Sequence, residues 1–279
     1  MTQFHHPGVY IEEIPSGVRT IKGVATSITA FVGRAQRGPV DKPVTITSYP
    51  EFERIFGGLW TESTLGHSVR DFYRLGGSIA IIVRAHRSDT NDTASIALGP
   101  VGNTRLALDA ASPGLWSSQL SATIDHDVSS NVDHTHFNLS VTDAGTKRSE
   151  VFRNISFSSA SSRPADAILA DSSLVRVSTM PTALPPAVSA GAVNGNDGLA
   201  VDDSVFTTGT DVRTNKRGVY ALEDADLFNM LVIPPYTPEG DIDTQVRDDA
   251  ISYAEERRAI MILDPPSGWT TPTQAVTDV

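Results

Sequence analysis

Two short runs in the middle of the chain carry residue types that bind metals: Asp125-His126-Asp127 and Asp133-His134-Thr135-His136. On a strand, His134 and His136 would share one face, the placement that two ligands of one ion require. The run between the two clusters, Val128-Ser129-Ser130-Asn131-Val132, has the composition of a hairpin tip, and spacing fixes no further His or carboxylate nearby. A solvated polar loop is therefore the reading, and no metal is assigned. Gly66-His67-Ser68-Val69-Arg70 approximates a nucleophile elbow, but Arg70 stands where the turn needs a second small residue, and the segment lies within a helical pattern. Gly195-Asn196-Asp197-Gly198 signals a turn without the strand-loop-helix context that cradles phosphate. Glu223, Asp224 and Asp226 suit a helical turn or a solvated face, with nothing to pair them for acid–base work. Glu255-Glu256-Arg257-Arg258 reads as a mixed-charge helix end, and His5-His6 as an exposed pair. With no cysteine, thiolate chemistry and Cys-ligated metals are excluded. No catalytic constellation emerges, no cofactor is implied, and the chain is read as a non-enzyme.

The elements that would position such residues fall into two textures. Ile28–Gly33 reads as a strand ending at a glycine. Ser48 and Glu51 have capping-box spacing ahead of a short helix through Phe52, Ile55 and Phe56, stopped at Gly57-Gly58. Leu65, Val69, Phe72 and Tyr73 share one face of a second helix, and Ile79–Val83 is an unbroken run that predicts a strand buried on both sides. From Gly99 to Asn196 alternation replaces helical period: Leu120, Ala122 and Ile124, then Phe137, Leu139 and Val141, a turn at Asp143–Thr146, strands near 151–157 and 174–177, and a helical patch over 165–170. An Ala/Pro/Gly-rich stretch from Pro181 to Gly198 reads as a return linker. Buried strands are then predicted over Leu227–Ile233 and Ile260–Leu263, flanking a helix with Val246, Ala250, Tyr253 and Ala254 on one face. The fold class is an α/β core, a mixed sheet with flanking helices, interrupted by an inserted, mainly antiparallel β domain and preceded by an extended N-terminal arm. Residues 1–22 form the arm, 23–98 and 197–279 the core, and 99–196 the insertion. Only a loop is expected after Ile260–Leu263, so the core looks incomplete at Val279.

The chain has 279 residues, 39% hydrophobic and 20% charged, ample for a large folded core. Twenty-two basic against 33 acidic side chains give a net charge of −11, which argues against nucleic-acid binding and predicts mutual repulsion between copies. Nowhere do eighteen apolar residues run together, so no membrane insertion is expected, and no secretory signal is visible.

Several separated segments, in order, resemble the tail sheath proteins of contractile phages and related contractile injection particles. They are PGVYIEEIPSGVRTIKGVATSITAFVGRAQRGPV, TSYPEFERIFGG with FYRLGGSIAIIVRA, SPGLWSSQLSATI, GVYALEDADLFNMLVIPP and AISYAEERRAIMILDPP. The resemblance implies a virion or phage-tail-like particle component assembled in the bacterial cytoplasm. It implies copies of the chain in a helical sheath, polymerised around an inner tube in a metastable extended state and contracting to drive that tube through a target envelope. Baseplate proteins and a tail-terminator or cap protein would be the further partners. Family members continue past the position of Val279 to complete the core and a C-terminal arm.

The opening stretch takes on meaning in that light. Val9, Tyr10, Ile11, Ile14 and Val18 would form an inter-subunit arm, with Val9 and Ile11 entering a neighbour's sheet by strand exchange and Tyr10 on the other side. Pro7 and Pro15 remove donors at its ends, as an edge strand tolerates. Pro15, Ser16, Gly17 and Gly23 would supply the hinge. The alternative is a strand folded back on its own core. Two other functions stay open at this point. One is an α/β enzyme with its site at the carboxyl ends of the strands. The other is a glycan-binding module using Trp116 or the His-rich tip, although Trp116 beside Pro113-Gly114 reads better as a packing anchor.

Overall fold

A computed structural model of the chain describes residues 27–128 and 134–277. Two sheet systems share the chain. The first has five strands: β1 (Thr29–Gly33), β2 (Val44–Ile46), β3 (Ala80–Arg84), β11 (Met230–Val232) and β12 (Ile260–Ile262), in the order β12-β11-β1-β3-β2. β1 pairs in parallel with β3 and β11, β12 pairs in parallel with β11, and β2 alone runs antiparallel, against β3. The central strands β1 and β3 are buried along their whole length, so their alternate side chains feed two cores.

On one face lie α1 (Tyr49–Phe56) and α2 (Leu65–Arg74), whose Phe52, Phe56, Leu65 and Val69 pack on Phe31, Ala80 and Ile82. α1 stops where the backbone of Gly57 turns left-handed at φ 96° and its N–H closes onto the Glu53 carbonyl at 3.1 Å. On the other face, α4 (Thr244–Glu256) buries Val246, Ala250, Tyr253 and Ala254 against Ala30, Val32, Ile81 and Val83, joined by a 3-10 turn over Gly218–Asp224. Asp243 caps α4, accepting from the Gln245 N–H at 2.8 Å.

The second system is antiparallel. β6 (Leu120–Asp125), β7 (His136–Asp143), β8 (Arg148–Ser156) and β10 (Ser189–Gly191) form one sheet in the order β10-β6-β7-β8. β4 (Ser95–Leu98), β5 (Leu106–Ala110) and β9 (Val175–Thr179) form another, and with α3 (Ala165–Leu169) the two sheets enclose a single core. The chain enters and leaves this part side by side. Ser95 and Val193 exchange backbone hydrogen bonds of 3.0 and 2.9 Å, and the Gly195 N–H reaches the Asn91 carbonyl.

Several sequence expectations change. β4, β5 and β10 were not foreseen, and β4 places the start of antiparallel pairing ahead of Gly99. Ser48 makes no capping bond; Glu51 instead accepts from the N–H and hydroxyl of Thr47. The run Leu227–Ile233 contributes only three strand residues. β12 is not buried: it is the sheet's edge, with Ile260 70% and Ile262 45% exposed. A short helix, α5 (Pro272–Thr277), follows it where only a loop was expected.

Candidate functional site

All nine residues expected to form the arm and its hinge, Val9, Tyr10, Ile11, Ile14, Val18, Pro15, Ser16, Gly17 and Gly23, lie outside the described residues. The most heavily constrained polar group among those described is one that sequence reasoning passed over, Arg84. It closes β3 and is 2% exposed, yet among the described residues no carboxylate forms an ion pair with it. Its guanidinium donates to backbone carbonyls: Nε to Ala35 at 2.9 Å, Nη1 to Gly38 at 2.8 Å, and Nη2 to Pro113 at 2.9 Å and more distantly to Gln36. Burial pushes its pKa down to about 10, opposed by the charges of Asp197 and Asp92, so it remains a cation at neutral pH. The fork thus binds the loop after β1 to Pro113, ahead of β6, and the Gly38 N–H adds a 3.0 Å bond to Ser112 Oγ. The available signal was an arginine directly continuing a run buried on both faces.

Two residues on, His86 Nε2 lies 2.9 Å from Asp92 Oδ2. Burial lowers the His86 pKa despite that partner. Asp92 is also held below the usual carboxylate range: burial works against this, and hydrogen bonds from His86, Asp89 and Thr93 outweigh it. The pair is a neutral imidazole donating to a carboxylate. Further along, Asp197 Oδ1 accepts from the Leu115 N–H at 2.8 Å, so the Gly195–Gly198 turn fastens the return of the chain.

Of the strand ends that an enzyme reading would use, the one after Leu227–Ile233 borders a cleft of about 620 Å³, walled by Ile242, Ile251, Leu263, Pro235, Pro265 and Trp269. Two of its three carboxylates are engaged locally: Asp241 accepts from the N–H and hydroxyl of Ser267, both at 2.9 Å, and Asp248 pairs with Arg247 at 3.2 Å, while Asp264 lines the rim. No histidine lines it. At the other such end, after Ile79–Val83, a cleft of about 500 Å³ is lined by Asp41, His86, Ser88, Ser204 and Arg217, with His86 tied to Asp92 and Asp41 accepting from the Gly218 N–H. Ser68 lies inside α2 and donates to the Thr64 carbonyl, and the β-carbon of any larger residue at Gly66 would come within 2.6 Å of the Gly58 carbonyl oxygen. Close packing of α2 on the preceding loop, not an exposed nucleophile, explains that glycine.

The metal-like cluster is dispersed. β7 begins at His136, so His134 precedes the strand with a left-handed φ of 49° and does not share a strand face with it. His126 Nε2 meets the Pro185 carbonyl at 2.9 Å, and Asp125 accepts from Asn138 Nδ2 at 2.7 Å. Among the described residues no group of three or more metal-ligating side chains converges. Asp133 lies outside the described residues. Trp116 is 6% exposed and donates to the Pro113 carbonyl, which makes it a packing anchor with no free face for a sugar. Glu223 lies near Arg213, and Asp224 is paired with Lys216, on a solvated turn.

An open, mostly parallel α/β sheet joined to an antiparallel β unit with its own core defines the class of the molecule. The particular fold is phage-tail-sheath-like. It is similar to the crystal structure of a sheath tail protein from Listeria innocua, with a TM-score of 0.55 and 16% identity over 86% of this chain and 46% of that one. A sheath tail protein from Desulfitobacterium hafniense is similar at a TM-score of 0.50 and 18% identity, over 91% of this chain and 52% of that one. The chain therefore spans about half the length of the solved structures it matches. No family model and no curated protein matches it.

Proposed function

We propose that this chain is a structural, non-catalytic subunit of a contractile tail sheath. It polymerises helically with copies of itself around an inner tube, between baseplate and terminator proteins, in a phage or phage-like particle. The observation that carries the reading is the fold shared with two sheath tail proteins over most of this chain. The division of labour follows the sequence reading. Residues 23–98 and 197–279 act as the sheath core, 99–196 as an appended β domain, and 1–22 as an arm that adds a strand to a neighbour. Such a tether keeps subunits connected through main-chain hydrogen bonds while their packing changes. A contact that does not close on itself generates a filament, and an extended state held by its barrier stores the energy of contraction without a nucleotide.

Negative-stain electron microscopy of the full-length protein at high concentration tests this. Hollow cylinders are expected, and a strictly monomeric protein would count decisively against the reading. Removing residues 1–20 should leave the melting temperature unchanged while abolishing cylinders; ordered cylinders from the shortened chain would sink the arm's role.

A further inference from the structure

Where the two sheet systems meet, a small cavity of about 190 Å³ is lined by four arginines. Arg37 follows β1, Arg54 belongs to α1, Arg148 opens β8 and Arg176 lies in β9. In a chain of net charge −11, four guanidinium groups around one cavity run against the composition. Two of them have carboxylate partners, both loose: Arg37 Nη1 is 3.5 Å from Asp143, and Arg54 Nη2 is 3.6 Å from Glu51. The nearby Glu150 spends its oxygens on the hydroxyls of Ser172 and Ser173, at 2.6 and 2.5 Å.

The donors are correspondingly underused. Arg37 is 9% exposed; Nη2 donates to the Glu53 carbonyl at 3.2 Å, and Nε is buried with no hydrogen-bond partner. Arg148 makes one bond, from Nη2 to Ser173 Oγ at 3.1 Å. Arg176 directs Nη1 at the carbonyls of Leu169, Ser172 and Val175, and its other two nitrogens have no partner among the described residues. Burial first and then the like charge of Arg148 push the Arg37 pKa down, against the opposing charge of Asp143.

We propose that this cavity binds a single oxyanion group, a carboxylate or a phosphate. Planar guanidinium forks match such groups bidentately. The volume falls below the roughly 300 Å³ at which pockets begin to hold drug-sized ligands, so it suits one small charged group better than a whole nucleotide. That group comes either from a free anion in solution or from an acidic side chain of a second copy, which has 33 carboxylate residues to offer.

The test titrates inorganic phosphate into the full-length protein at low ionic strength, by calorimetry. One saturable site per chain is expected, weakened about tenfold in R148Q and in R54Q. Among the described residues those two side chains bond only to Ser173 and Glu51, and unchanged melting temperatures would confirm that the variants fold. A rise in wild-type melting temperature with phosphate gives a second readout, independent of any variant. No saturable binding, or binding unaffected by both substitutions, overturns the proposal. Sedimentation with and without phosphate assigns the source. Phosphate that reduces self-association identifies an acidic side chain of a second copy as the occupant, and unchanged sedimentation identifies a free oxyanion. Cylinder formation is a separate measurement, so this site and the sheath reading stand or fall independently.

Discussion

Arg84 shows what a buried charge does when its partners are carbonyls. Two of the accepting oxygens, those of Ala35 and Gly38, take buried hydrogen bonds, so R84M leaves buried acceptors unpaired. We expect a loss of about 3 kcal/mol or more by urea denaturation, roughly the cost of leaving two such groups unsatisfied. R84K keeps the charge but not the fork, and should still lose about 2 kcal/mol. A loss near zero for R84K would mean that charge alone suffices. His86 gives a pH signature. Its folded pKa lies below its ordinary value near 6.5, so on acidification the unfolded chain takes up a proton that the native imidazole refuses. Stability should therefore fall as pH drops below about 6.5, and a urea midpoint measured at pH 7.5 and 5.5 should decline less in H86Q. His86 carries no sequence signal, and Arg84 only that of an arginine continuing a doubly buried run. An arginine is ordinarily a surface residue, and only tertiary packing shows that the loops around it turn their carbonyls inward.

Among the elements, the long periodic ones could be read from sequence. The faces of α2 and α4 match their apolar spacing, and β1 and β3 are buried throughout, because a single strong pattern dictates each. β4 and β5 escaped notice because Gly99-Pro100 lies between them and masks their alternation as loop. β12 was misjudged for a physical reason: an apolar run has the same composition at a sheet's centre and at its edge, and only the neighbours decide. Gly66 allows a direct test at this scale. G66A should destabilise by about 1–3 kcal/mol through overpacking against the Gly58 carbonyl. Alanine at His67, on the exposed side of the same helix, should change stability by less than about 0.5 kcal/mol. Equal effects at the two positions would refute the close-packing account.

At the scale of the whole molecule, the antiparallel part holds a core of its own, from Ile96 and Leu108 through Phe137 and Leu174, distinct from the two cores that flank the parallel sheet. Much of what joins them is polar: the fork of Arg84, the Gly38–Ser112 bond and the Leu115–Asp197 bond. A fragment covering residues 89–198 should accordingly fold alone and melt in one cooperative transition by circular dichroism. A fragment without a transition would mean that the parallel sheet is required to complete it. The change of texture in the sequence anticipated the two kinds of sheet, since period and composition report local structure. The neck between them was not legible, because it is made of backbone groups that every residue possesses.

That neck has a consequence for how such a chain can vary. The incoming and outgoing strands are hydrogen-bonded to each other through Ser95 and Val193, so the roughly hundred residues between them begin and end at one strand pair. The bonds from Arg84 to Pro113 and from Gly38 to Ser112 hold the near loop of the unit against the parallel sheet. Length changes at the exposed turn over 144–147 should therefore be tolerated without displacing the parallel sheet.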